Sequence, residues 1–145
     1  LLNNNAGRAG GALRISGLEG DVSLINVTAV NNSALSGSGG VLAGDVQISV
    51  VTTAILPGWH IVNSTFRGNR AITAGGALAI VSDEQRALLN VSSSVFDQNS
   101  VSVPPGVVPL VFDSWGGAIY AEALRIMFDS VHFTENKAID GGALY

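Results

Sequence analysis

Apolar residues alternate with polar ones in short runs along this chain, and the runs recur in a fixed order. Seven and five positions before Phe66, Phe96 and Phe133 stand Trp59 and Ile61, Leu89 and Val91, and Ile126 and Phe128. Val22 and Leu24 hold the same places before Ala29. Two positions before stand Val27, Ser64, Ser94 and Val131, and three before stand Asn26, Asn63, Ser93 and Ser130. Alternation with period two is the strand signature, because successive side chains point to opposite faces. A further run follows each glycine doublet. There Leu13 and Ile15, Leu78 and Ile80, and Ile119 and Ala121 are expected inward, with Arg14, Ala79 and Tyr120 outward. Each unit thus predicts three short strands separated by polar or glycine turns. No 3.6-residue stripe of useful length exists, and the one stretch suited to a helical turn is Asp83 to Leu88.

Two motifs mark the units. Gly-Gly-small-aliphatic occurs at Gly10-Gly11-Ala12-Leu13, Gly39-Gly40-Val41-Leu42, Gly75-Gly76-Ala77-Leu78, Gly116-Gly117-Ala118-Ile119 and Gly141-Gly142-Ala143-Leu144. Upstream stands apolar-x-x-Asn: Phe66 and Asn69, Phe96 and Asn99, Phe133 and Asn136, with weaker forms at Leu1 to Asn4 and Ala29 to Asn32. The doublet follows the Asn by 5 to 7 residues in four units and by 17 in the fourth, so loop insertions separate constant rungs.

A unit of this length cannot bury its own apolar face. Stacked copies bury it and pair every strand edge with the copy above and below. The expected fold is therefore all-β, a right-handed parallel β-helix (solenoid) of about five coils, forming one segment over residues 1–145 of a longer solenoid. Two loop insertions are expected at 43–58 and 100–115, the second marked by Pro104, Pro105 and Pro109. Val46, Ile48 and Val50 in the first have the spacing of an extra strand. Like residues should stack: a Phe66, Phe96, Phe133 ladder inside and an Asn69, Asn99, Asn136 ladder at a turn. Glycine reaches positive φ without steric cost, which suits a sharp corner, and Asn tolerates the left-handed region, which suits the other corner. The rival architecture, an antiparallel up-and-down sheet, does not explain why the motifs keep one order.

These residues resemble a known repeat. The pairing of GGA[LIV] with FxxN, here Gly75 to Leu78, Gly116 to Ile119 and Gly141 to Leu144 with Phe66/Asn69, Phe96/Asn99 and Phe133/Asn136, is similar to the chlamydial polymorphic outer membrane proteins. Similar repeats occur in other bacterial and algal surface proteins. The resemblance spans the chain, with the first two units degenerate. It implies a pectin-lyase-like β-helix of the passenger type displayed at a cell surface, with adhesion as its role. A single lysine, Lys137, departs from the lysine-rich chlamydial proteins and points to a GC-rich genome outside the chlamydiae.

Composition narrows the functions. Charged residues make up 12% of the chain and hydrophobic ones 47%, which describes a folded core rather than a disordered segment. The net charge is −4 and no basic stripe occurs, so nucleic acid and an anionic membrane surface are not expected partners. No cysteine is present, which removes disulfides and thiolate metal sites and leaves the redox compartment open. No run reaches the ~20 apolar residues of a membrane span. The first residues show neither a charged n-region nor an apolar h-region.

Candidate chemistry is sparse. The acidic residues scatter, whereas a polysaccharide lyase or hydrolase on this fold needs clustered carboxylates. Arg67 and Asp97 should meet on neighbouring rungs as an exposed ion pair. Asp83-Glu84 reads as a solvated turn, and His60 and His132 fall on outward positions in different units. Gly37-Ser38-Gly39-Gly40 lacks the Lys of a phosphate-binding loop, and six threonines without a T-x-T repeat argue against an ice-binding face. Tyr120 and Tyr145 follow successive doublets and form a candidate binding surface. Sequons at Asn26, Asn31, Asn63 and Asn90 are candidate glycosylation sites. The reading is a non-catalytic, cell-surface or secreted module for adhesion or structural display. It needs no cofactor or metal, and its partners are a surface protein or carbohydrate and flanking coils of the same chain. The alternative is a segment of a polysaccharide lyase or hydrolase.

Overall fold

Chain circuits pass through the same four places in turn. The computed structural model describes all residues except 17–19, 47–57, 83–86, 104–113 and 123, and side chains 45 and 46 are likewise outside the description. The first circuit lays down β1 (Asn5–Ala6), β2 (Leu13–Ile15), β3 (Val22–Ile25) and β4 (Thr28–Val30). The second lays down β5 (Ser33–Ala34), β6 (Leu42–Val46), β7 (Gly58–Val62) and β8 (Thr65–Arg67). The third gives β9 (Arg70–Ala71), β10 (Leu78–Ser82), β11 (Ala87–Ser92) and β12 (Val95–Asp97). The fourth gives β13 (Ser100–Val101), β14 (Ile119–Glu122), β15 (Leu124–Asp129) and β16 (His132–Thr134). Each strand pairs in parallel with its counterpart one circuit later, which makes four 4-stranded sheets: β1-β5-β9-β13, β2-β6-β10-β14, β3-β7-β11-β15 and β4-β8-β12-β16. The result is an all-β parallel solenoid, with no helix among the described residues.

Three expectations change. The fourth strand of each circuit, directly after the ladder Asn, was not predicted, because two residues are too few to show an alternation. The insertions expected at 43–58 and 100–115 begin and end inside rungs. Ala43 pairs with Ala79, Gly58 with Leu88, and Ser100 with Arg70, and Trp115 bridges Ala74 and Asp140. The proposed extra strand at Val46, Ile48 and Val50 lies outside the described residues beyond Val46. Leu88, placed in a helical turn, belongs instead to β11, where its backbone pairs with Gly58 and Arg125.

The middle rungs bury the positions that the alternation gives, whereas Ile126 and Phe128, expected at the same places, are exposed, and Ala79, expected outward, is buried. Trp59, Ile61, Leu78, Ile80, Leu89 and Val91 are fully buried, and Phe66 and Phe96 are too. Phe66 stacks on Phe96 with centroids 4.8 Å apart, and Phe96 on Phe133 at 5.2 Å. These distances match the ~4.8 Å between paired strands, so the ring stack follows from the backbone pairing. Each full burial contributes about 2–3 kcal/mol and each stacked pair about 0.5–1.5 kcal/mol more. Ala29 holds the Phe place one rung earlier. In the column Ile15, Gly44, Ile80, Ala121, the absent side chain makes room for the Trp59 ring, which a Cβ at Gly44 would strike.

The asparagines form a continuous ladder. Asn69 Oδ1 accepts from the Asn32 backbone N–H and from Asn32 Nδ2, both at 3.0 Å. Asn69 Nδ2 donates to Asn99 Oδ1 at 2.8 Å and to the Ala29 carbonyl at 3.0 Å. Asn99 repeats this set with Asn136 and Phe66, and Asn32 with Leu1 and Asn69. Both donors and both lone pairs of each internal amide are used, which is what makes a buried Asn tolerable. A second ladder was not foreseen. Ser64 Oγ and Ser94 Oγ each accept the backbone N–H one rung below, from Val27 and Ser64, both at 3.1 Å.

Left-handed backbone falls elsewhere than expected. None of the ladder asparagines has positive φ. The residue before each one does: Asn3, Asn31, Gly68, Gln98 and Glu135, as do the turn residues Asn26, Asn63, Ser93 and Ser130. The ladder position is conserved in type across rungs for its hydrogen bonds rather than for its backbone conformation. The two glycines of a doublet serve different ends. Gly75 has φ 58°, as do its counterparts within a narrow range, so it makes the corner. A Cβ on Gly76 would collide with the Gly117 carbonyl of the next rung, so it allows close approach. Gly142 is the control, since a Cβ there meets only the Asn136 carbonyl oxygen, at 3.7 Å.

Two consequences can be measured by thermal and urea unfolding. Gly76→Ala is expected to cost at least ~2 kcal/mol, whereas Gly142→Ala stays within ~0.5 kcal/mol; equal effects would remove the close-approach explanation. Asn69→Ala strands donors on Asn32 and the Ala29 carbonyl, and is expected to cost ~3 kcal/mol.

Candidate functional site

With the interior filled by stacked side chains, chemistry is left to the outer faces. The outward column of the β2-β6-β10-β14 sheet is Arg14, Ala43, Ala79 and Tyr120, held in register by the strand pairing. A bridge between Ile119 and Leu144 brings Tyr145 onto the next rung, beside Tyr120. The rings of Tyr120 and Tyr145 stack at 5.9 Å. Trp115 joins both, at 5.7 Å from Tyr120 and 5.5 Å from Tyr145, with all three rings near parallel. The Tyr120 hydroxyl donates to Glu122 Oε2 at 2.6 Å. Trp115 and Tyr120 are half-buried and Tyr145 is exposed.

Next to this cluster the same face sinks into a groove of about 190 Å³. Arg14, Ala43, Ala79 and Tyr120 of that column line it, together with Gly44, Ser38 and Val81. Small residues lie in the middle of the column and long ones at its ends, which is the cause of the depression.

Other candidates do not converge. Arg67 Nε meets Asp97 Oδ2 at 3.1 Å across neighbouring rungs, as expected, with the arginine 59% exposed. His60 lies half-buried in β7 and His132 exposed in β16, on different sheets. Asp83 and Glu84 lie outside the described residues. Asn26, Asn31 and Asn63 are exposed at left-handed turns, and Asn63 Nδ2 donates to Asn26 Oδ1 at 2.7 Å. Asn90 is half-buried in β11. Among the described residues no three His, Asp or Glu side chains gather as metal ligands would.

The sequence also carries its own comparison with known proteins. Residues 93–122 match the Chlamydia polymorphic membrane protein repeat. The match takes in Phe96 and Asn99 of one ladder rung and Gly116 to Ile119 of the next, and it includes Trp115, Tyr120 and Glu122. No curated protein and no solved structure matches the chain. Within the matched segment, Phe96, Asn99 and Gly116 to Ile119 are accounted for by the inner ladders and the corner, while Trp115 and Tyr120 are half-buried and Glu122 is exposed.

Trp115 and Glu122 were not read as site residues from the sequence. Trp115 was assigned to the end of a proline-bearing loop. Its signal was its place directly before a doublet, the position of Ala74 and Asp140 on adjoining rungs. For the Arg67–Asp97 pair, a double-mutant cycle with Arg67→Ala and Asp97→Ala is expected to give a coupling under ~1 kcal/mol that fades with salt. A larger, salt-insensitive coupling would point to a functional pair.

Proposed function

We propose that this chain is part of a right-handed parallel β-helix of about five coils that serves as a non-catalytic module at a cell surface or in secretion, adhering to a surface protein or carbohydrate. Handedness follows the right-handed crossover preference of parallel strands. The observation that carries the reading is the Trp115, Tyr120, Tyr145 cluster. Three near-parallel rings, two half-buried and one exposed, held on paired strands offer apolar area at little ordering cost, which is how aromatic contact surfaces bind. The match of residues 93–122 to a membrane-protein repeat supports placement at a surface. The outer-membrane setting and the adhesive role are the module's own in this reading, with no group on it required to make or break a bond.

The test uses the chain coated on beads, probed with a printed glycan array and with intact erythrocytes. The expected result is binding that falls about tenfold or more in the Trp115→Ala/Tyr120→Ala/Tyr145→Ala variant, with the circular dichroism spectrum unchanged. Equal binding by both proteins overturns the assignment of the site. Release of shortened products from a polysaccharide would instead establish a lyase or hydrolase.

A further inference from the structure

We propose that the groove between Arg14 and Tyr120 takes a short glycan bearing a carboxylate on one terminal sugar. The inference rests on the adhesive reading above and names the ligand class of the same face. Arg14 and Tyr120 stand three rungs apart in one column, a separation of ~14 Å at the strand spacing. Between them Ala43, Gly44 and Ala79 line the groove, with Ser38 and Val81 beside them among the described residues. That makes a straight trough along the solenoid axis, long enough for a short oligosaccharide.

The two ends differ in chemistry. Arg14 is exposed, and among the described side chains no carboxylate pairs with it. A guanidinium offers a planar fork of donors that matches a sugar carboxylate. At the other end Tyr120 lines the groove with its hydroxyl bound to Glu122. A ring there can lie against the apolar face of a pyranose, and Glu122 can accept sugar hydroxyls while repelling an acidic group. The groove therefore fixes direction, with the acidic sugar at Arg14 and the neutral sugar at Tyr120.

A peptide fits this groove less well. The backbone N–H and C=O groups of its floor strands are engaged between rungs. An extended peptide binds sheets through a free edge, whereas Ala43, Gly44 and Ala79 lie on β6 and β10, which are paired on both sides. A glycan needs only a ring face, hydroxyl acceptors and a cation, and all three are present.

The experiment measures affinities of the whole chain for 3′-sialyllactose and trigalacturonic acid against lactose and maltotriose, by calorimetry at low and moderate salt. The acidic sugars are expected to bind about tenfold tighter, with the difference shrinking as salt rises. Arg14→Gln should bring acidic and neutral sugars within about twofold of each other, and Tyr120→Ala should weaken both classes about tenfold. Arg14 is exposed, and an unchanged melting temperature shows that its variant is folded. Equal affinity for acidic and neutral sugars, or an unaltered preference in Arg14→Gln, overturns the inference. If the beads of the preceding test still adhere through the aromatic cluster while the acidic preference is missing, this inference fails alone. If wild-type beads bind neither glycans nor cells, the adhesive reading fails and this one with it.

Discussion

Parallel pairing between successive circuits of the chain is the constraint on which the rest of the structure depends. Because each strand hydrogen-bonds to its counterpart one circuit on, every position recurs at the interstrand spacing of about 4.8 Å. A side chain is then forced against its own equivalent. Whatever stands in a column must stack on itself, and few residue types do so inside a protein without penalty. Phenylalanine does, through offset ring contact, and the three rings sit at that spacing. Asparagine does, because its amide presents donors to one side and an acceptor to the other.

The asparagine ladder shows how strict this constraint is. A buried amide has two N–H groups and two lone pairs to satisfy, and Asn69 satisfies all four from the rungs on either side and from the Ala29 carbonyl. Aspartate would lack the donors, and leucine would leave the turn's backbone unpaired. The serine ladder at Ser64 and Ser94 solves the same problem one turn earlier with a hydroxyl that accepts from the rung below. At the glycine doublets the constraint becomes steric. Backbones of adjacent rungs pass so closely that Gly11, Gly40, Gly76 and Gly117 have no room for a Cβ, while the first glycine of each doublet supplies the left-handed corner. Motifs that resemble functional signatures are thus explained by stacking alone.

Function is pushed outward as a result. The inner columns are used up by packing, so variation that does not disturb stacking is confined to outward positions and connections. On the β2-β6-β10-β14 sheet that variation is ordered: a cation, two alanines, then tyrosines joined by Trp115. The groove and the aromatic cluster are consequences of residue size along one column of an otherwise uniform sheet. A rigid solenoid holds such a column in place without further support, which suits recognition by surface contact.

The sequence by itself determined the repeat, the inward faces of three strands per circuit, the phenylalanine and asparagine ladders, the corner glycines and the Arg67–Asp97 contact. All of these depend on spacing within a unit and on like residues recurring between units, and both can be counted along a chain. It did not determine the two-residue strands after each asparagine, because so short a run has no period. It misassigned the left-handed turns, because Gln98 and Glu135 adopt that conformation under the rungs' hydrogen bonding rather than from their own preference. It set the insertions too wide, since the rung extends as far as backbone partners exist on the neighbouring circuit, and Ala43 and Ser100 find theirs 36 and 30 residues away. Only the tertiary structure decided that Trp115 joins Tyr120 and Tyr145, and that Arg14 and Tyr120 face each other across a trough. Those neighbours come from different circuits, and insertions of unequal length separate them, so their distance in space follows from rung stacking and not from their separation in sequence.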